Sequence, residues 1–149
     1  MRVGEFCNRE VIVIGADESV KVAAELMRKH HVGDVVLVEE QQGRRVPVGI
    51  ITDRDLVVEI MVPELDPGEL AARDIVTGSL ATTHSEDSML DALDLMRSKG
   101  VRRLPVVETD GSLAGIITVD DVMGLLTEML GRLAGVVERQ RVREARQRP

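Results

Sequence analysis

The sequence predicts an α+β fold made of two tandem β-α-β-β-α repeats with a C-terminal helical extension. Three observations carry that prediction. The stretch Gly49-Ile50-Ile51-Thr52-Asp53-Arg54-Asp55 returns as Gly115-Ile116-Ile117-Thr118-Val119-Asp120-Asp121. The residues upstream of each copy also match, Ser19 falling on Ser88, Ala23 on Ala92, and Leu26-Met27-Arg28 on Leu95-Met96-Arg97. Within each half, short β-branched runs alternate with one stretch of helical periodicity, and recurrence at a fixed period is the signature of a repeated structural unit.

Val11-Ile12-Val13-Ile14 is a continuous β-branched run and reads as the first strand. Ser19 is placed to cap a helix in which Val20, Ala23, Ala24 and Met27 share one buried face. Lys29-His30-His31 ends that helix, and Val35-Val36-Leu37-Val38 forms a second strand. A polar hairpin loop over residues 39–45, around Gly43, leads to a third strand over 46–51 and a helix over 53–61. Pro63, Pro67 and Gly68 then mark a linker.

The second half repeats this order. Leu80-Ala81-Thr82-Thr83 takes the place of the first strand, and the helix over 88–97 buries Met89, Ala92, Leu93 and Met96. Residues 102–107 form the second strand, Asp110-Gly111 the hairpin turn, and 113–117 the third strand. The boundaries predicted are 1–62 for the first repeat, 63–73 for a linker, 74–130 for the second repeat and 131–149 for a basic helical tail. The last helix outruns its twin. Val122, Leu126, Met129, Leu133 and Val136 recur at gaps of four and three, the spacing of a short a/d seam, although Gly124, Gly131 and Gly135 weaken it as a helix. That seam fits either a helix lying back on its own domain or a dimer contact.

Composition narrows the function. The 149 residues are 44% hydrophobic with a single aromatic, Phe6, which argues against stacking platforms for single-stranded nucleic acid. A net charge of −7 makes broad contact with a phosphate backbone unfavourable. The six arginines from Arg132 onward, against Glu138 and Glu144, give the tail +4, leaving about −11 on the remainder. A basic tail is open to an acidic partner or nucleic acid, or is a solvated helix end. Cys7 is the single cysteine, so no internal disulfide forms, and no apolar run reaches membrane-span length. Cytoplasmic localisation with no membrane partner is expected.

Catalytic signatures are missing: no phosphate-cradling glycine loop and no Ser-His-Asp pattern stands in the chain. No enzyme activity is expected. Cys7, His30, His31 and His84 could in principle ligate zinc. However, His30 and His31 are adjacent, so their rings point apart, and no metal site is assigned. The Thr-x-x-Asp pairs at 52–55 and 118–121 have two readings. One is a capping box, in which the Thr oxygen and the acid satisfy each other's backbone amides. The other is a ligand site, because free amides at a helix start suit an anion and a carboxylate there can accept both hydroxyls of a ribose.

Two copies of strand-helix-strand-strand-helix, each closing on Gly-h-h-Thr-x-x-Asp (h apolar), resemble a tandem pair of CBS domains, the Bateman module, over residues 6 to about 130. The second copy is close to the family pattern through Asp74-Ile75-Val76-Thr77, residues 96–107 and residues 115–121. The resemblance implies pseudo-two-fold symmetry and a stand-alone regulatory module whose two clefts take AMP, ADP, ATP or S-adenosylmethionine as ligand rather than a cofactor. It also implies a homodimer and an effector protein of unknown identity. Carried onto this chain, Thr118 and Asp121 hold ribose and phosphate in the second site, where Ala81, Val101, Leu104 and Pro105 line the base and Thr77 lies at the rim. Thr52 and Asp55 play that part in the first, with Ile12 and Val35 along the base. Arg102 and Arg103 offer guanidinium forks for phosphate, whereas Asp34, in the place that matches Arg103, repels it. Inequivalent sites are expected, the second favouring a phosphorylated nucleotide. The alternatives are a ligand-free interaction module and a nucleic-acid-associated regulator that uses the Arg-rich tail.

Overall fold

The computed structural model describes residues 1–76 and 78–148, and divides into two compact units, Met1–Ile117 and Thr118–Pro149. Thr77, expected at a cleft rim, lies outside the described residues. The first unit holds two three-stranded sheets, one from each half of the chain, each with its strands side by side in chain order.

A one-turn helix α1 (Val3–Phe6) leads into β1 (Val13–Gly15), shorter than the apolar run suggested. Helix α2 (Val20–His30) starts where the Ser19 hydroxyl accepts from the Val22 amide and ends at His31, which takes the left-handed conformation. Val20, Ala23 and Met27 are its buried face. β2 (Asp34–Gln41) runs parallel to β1 and antiparallel to β3 (Arg44–Thr52), in a register that sets Asp34 opposite Thr52. The loop expected over 39–45 is instead a two-residue turn. Gln42 and Gly43 both have positive φ, so the polar residues around them belong to the strands. After β3 comes α3 (Asp53–Asp55), which passes into a π-helical stretch, Leu56–Met61.

The second half follows with α4 (Ala72–Ile75), β4 (Thr83–His84), α5 (Met89–Lys99), β5 (Arg103–Val107) and β6 (Leu113–Thr118). The strand expected over 80–83 begins only at Thr83, where pairing with Val106 starts. Residues 80–82 lie outside that short pairing: an apolar run signals burial, but only a backbone partner makes a strand.

The repeats are threaded through each other. Residues 1–8 open the first repeat ahead of β1 yet bond to the second. Val3 N–H donates to Asp87 O at 2.9 Å and Gly4 N–H to Ser85 O at 2.8 Å, while Asn8 and Ile116 exchange two backbone bonds of 2.9 Å. The segment around α4 does the converse: Ala72 N–H donates to Glu18 O at 2.7 Å and Arg73 N–H to Ala16 O at 3.0 Å. Ala72 accordingly sits in the first repeat's core with Ile14, Ala23, Val35, Leu37 and Ile51, and Ile75 and Val76 pack against it. Val3 and Ala72, matching positions, are both fully buried.

The second unit is one helix, α6 (Val119–Gln147), of 29 residues. No described helix is long and apolar enough to cross a membrane.

Candidate functional site

Between the repeats of the first unit lies an open cleft of about 490 Å³. Its first wall comes from the end of β3 and the helix start beyond it: Gly49, Ile50, Thr52 and Arg54. Its second wall is the extended lead of the second repeat, with Val76, Leu80 and Ala81. Its third is the turn from α5 to β5. Gly100 ends α5 in the left-handed conformation (φ 65°), and the Val101 amide donates back to Met96 O at 3.0 Å. That reversal carries Lys99, Val101, Arg102 and Arg103 to the cleft.

The lining combines apolar and cationic residues. Arg54, Lys99, Arg102 and Arg103 all line it, and no carboxylate does among the described residues. Arg103 is held in place by an ion pair with Asp34, the two side chains being 28% and 20% exposed. Arg103 and Asp34 occupy matching positions in the two repeats, so a residue read as a phosphate fork and one read as its repulsive counterpart meet each other. Since Asp34 pairs with Thr52 across the strands, this contact stands beside the helix start on the cleft wall.

Both Thr-x-x-Asp pairs form capping boxes. Thr52 N–H donates to Asp55 Oδ2 at 2.8 Å and Asp55 N–H to Thr52 Oγ1 at 3.2 Å. In the second unit, Asp121 Oδ2 accepts from the Thr118 amide at 2.9 Å and its hydroxyl at 2.7 Å. A carboxylate has about four lone-pair positions, and among the described residues Oδ1 of neither acid accepts a hydrogen bond. Capping therefore leaves each acid capacity for a ligand hydroxyl.

The cleft draws together residues that the sequence assigned to two separate sites: Thr52 with Ala81, Val101, Arg102 and Arg103. Asp55 is half-buried one helical turn beyond Thr52. Val35, Leu104 and Pro105 are interior, with less than 2% exposure, and offer no side-chain surface to a base. Ile12 packs against the first repeat's core. Thr118 and Asp121 belong to the second unit. Sequence reasoning missed Ile50, Arg54, Leu80 and Lys99. Arg54 stands two residues after Thr52, and Lys99 just precedes the helix-ending Gly100, so the signals were local but carried no sign of the partner wall.

Comparison with known proteins gives a consistent result. The family model for the CBS domain matches residues 3–62 and 72–128. An uncharacterized protein of Methanopyrus kandleri is 40% identical over 121 residues, 81% of this chain. The matched part is 60% of that protein, so the chain spans less than two thirds of this relative. Hypoxic response protein 1 of Mycobacterium tuberculosis is 29% identical over 124 residues, 83% of this chain and 84% of that one. Among solved structures, the CBS domain protein PAE2072 from Pyrobaculum aerophilum, complexed with AMP, has a TM-score of 0.72 at 25% identity. That match covers 81% of this chain and 89% of that one.

Proposed function

The chain belongs to the CBS-domain family, and on that premise we propose that it is a regulatory module whose inter-repeat cleft binds a phosphorylated adenine nucleotide and relays its occupancy to a partner protein. The observation that carries this reading is the convergence of Arg54, Lys99, Arg102 and Arg103 on a cleft with apolar walls. Its volume lies in the usual range for small-molecule sites, roughly 300–1,000 Å³. Guanidinium forks suit phosphate, and aliphatic walls suit an adenine face where no aromatic is at hand. The AMP complex of the Pyrobaculum relative supports the same ligand class.

In this reading Ile50, Leu80, Ala81 and Val101 flank the base, Thr52 and Asp55 face the ribose, and the cations hold phosphate. Thr118 and Asp121 offer the same chemistry for a second ligand. The cation cluster ranks AMP, ADP or ATP above S-adenosylmethionine, whose sulfonium adds a positive charge to a positive site. Relay of the signal runs through Arg103. A phosphate in the cleft competes with Asp34 for its guanidinium, and so loosens a tie between the two repeats.

Calorimetric titration with AMP, ATP, S-adenosylmethionine and adenosine tests this. AMP at a hundredfold excess over its Kd stabilises the fold by about 2.7 kcal/mol, read as a rise in Tm. Asp34→Asn releases Arg103 and tightens AMP about three- to tenfold while leaving adenosine unchanged. If no nucleotide binds and none shifts Tm, the cleft is a feature of an interaction module and the sensor reading fails.

A further inference from the structure

A second cavity of the first unit, about 280 Å³ in volume, shares no lining residue with the nucleotide cleft. The N-terminal lead supplies Arg2, Gly4, Glu5 and Arg9 to it, and the second repeat supplies Ser85, Glu86 and Glu108. The matching place in the first repeat is filled. There Arg73 bridges two carboxylates: its Nε stands 2.8 Å and its Nη2 2.7 Å from Asp17 Oδ1, and Nη2 stands 3.3 Å from Glu39 Oε1.

The two places correspond residue for residue. Asp17 falls on Glu86, Glu39 on Glu108 and Arg73 on Gly4. Their backbones correspond too, since Arg73 N–H donates to Ala16 O at 3.0 Å and Gly4 N–H to Ser85 O at 2.8 Å. The second repeat therefore keeps both acids and loses the guanidinium between them. Position 4 cannot regain it, because a Cβ there would stand 2.9 Å from both Ser85 Cβ and Ser85 O. Arg2 reaches Glu86 alone. Glu108, half-buried, has only the Ser85 hydroxyl, which donates to its Oε2 at 2.7 Å, and no cation pairs with it among the described residues. Arg9 is engaged elsewhere, its Nη2 donating to Gly4 O at 3.1 Å.

We propose that this cavity binds a guanidinium group from outside the chain, seated against Glu86 and Glu108 as Arg73 is seated against Asp17 and Glu39. Charge fits a monocation: Glu5, Glu86 and Glu108 exceed Arg2 and Arg9 by one negative charge. Shape selects guanidinium over ammonium, because a planar fork can bond two carboxylates at once, whereas an ammonium is a compact point charge. Size fits a side-chain head, the volume lying below the roughly 300 Å³ at which sites for whole small molecules begin. A free guanidino compound and an arginine side chain of another protein share this chemistry.

The test is amide NMR of the full chain titrated with methylguanidine at constant ionic strength, so that screening does not imitate binding. Amides of Ser85, Glu86 and Glu108 shift and saturate, while methylammonium binds about tenfold more weakly. Glu108→Gln weakens methylguanidine by about tenfold or more, and an otherwise unchanged spectrum shows that the variant is folded. Arg73→Ala empties the matching place, so that methylguanidine then moves Ala16, Asp17 and Glu39 as well and the sites per chain rise from one to two. N-acetylarginine amide separates the sources. Binding equal to methylguanidine identifies a protein side chain and binding by methylguanidine alone a free compound, and either upholds the site. Absence of shifts at Ser85, Glu86 and Glu108 overturns the proposal, as do shifts that persist in Glu108→Gln. Binding that emerges only in Arg9→Ala overturns it too, since Arg9 would then be the occupant.

Discussion

Gly49 and Gly115 open the motif in each repeat for a reason that lies in the opposite repeat. A Cβ on Gly115 would stand 2.7 Å from Cys7 Sγ and 2.8 Å from the Asn8 carbonyl oxygen. On Gly49 it would stand 2.9 Å from Val76 Cγ1. Cys7 and Val76 are matching positions, so each glycine makes room for the lead segment of the other repeat. The obstacles differ. Val76 presents a side chain, while Asn8 presents a backbone oxygen already bonded to the Ile116 amide at 2.9 Å. Gly49→Ala should cost about 1 kcal/mol and Gly115→Ala about 3 kcal/mol, within the range for overpacking. Urea unfolding checks this, and pairing with a smaller neighbour sharpens it. Val76→Ala should rescue Gly49→Ala, whereas Cys7→Ala should leave most of the Gly115→Ala loss in place. A rescue of both would remove the backbone from the account. At this scale the sequence disclosed which residues mattered more readily than why. The two glycines and the pair Arg103 and Asp34 stood out by repetition, but their contacts cross between repeats, and matching positions meet only because they lie near the pseudo-two-fold axis.

Elements were legible where one local signal sufficed. Ser19 and Ser88 each cap a helix through the hydroxyl; the first helix ends at His31 as expected, while the second runs past the expected residue 97 to Gly100, both ends being left-handed. Strand ends were less legible, because extension depends on a partner strand: β2 and β3 run almost to the turn, while β4 is two residues long. The turn at Gln42-Gly43 carries a testable strain. Its φ values of 53° and 77° give the two positive angles of a type I′ turn, a conformation that Asn tolerates better than Gln. Gln42→Asn should therefore stabilise the chain by about 0.5 kcal/mol in urea unfolding, a part of the cost of order 1 kcal/mol that a non-glycine residue bears in the left-handed region. Gly43→Ala should destabilise it by more than that gain. The contrast isolates conformation, since nothing lies within 4 Å of a Cβ on Gly43.

The first unit as a whole is stabilised by exchange of lead segments, and this was the part of the fold that the sequence concealed. Nothing local in Val3-Gly4-Glu5-Phe6 tells which half it completes; a one-turn helix buries its apolar residue wherever a groove fits it. Residues 1–8 supply the second repeat with Val3 in its interior and with backbone partners for Ser85, Asp87, Met89 and Ile116. Residues 70–76 supply the first repeat in the same way, and they lie between the halves, where a truncation at the chain start does not reach them. Deleting residues 1–8 should therefore damage the distant repeat and spare the adjacent one. Hydrogen exchange reads this directly. Amides at 85–89 and at 116 should lose protection by a factor of ten or more, since their carbonyl partners or the covering segment are gone. Amides in α2 and β2, which rest on Ala72 and Ile75, should change little. Uniform loss across both repeats would mean that the unit unfolds as one cooperative block, with the crossed segments fixing its pairing but not its local stability. Loss confined to the first repeat would contradict the crossing itself.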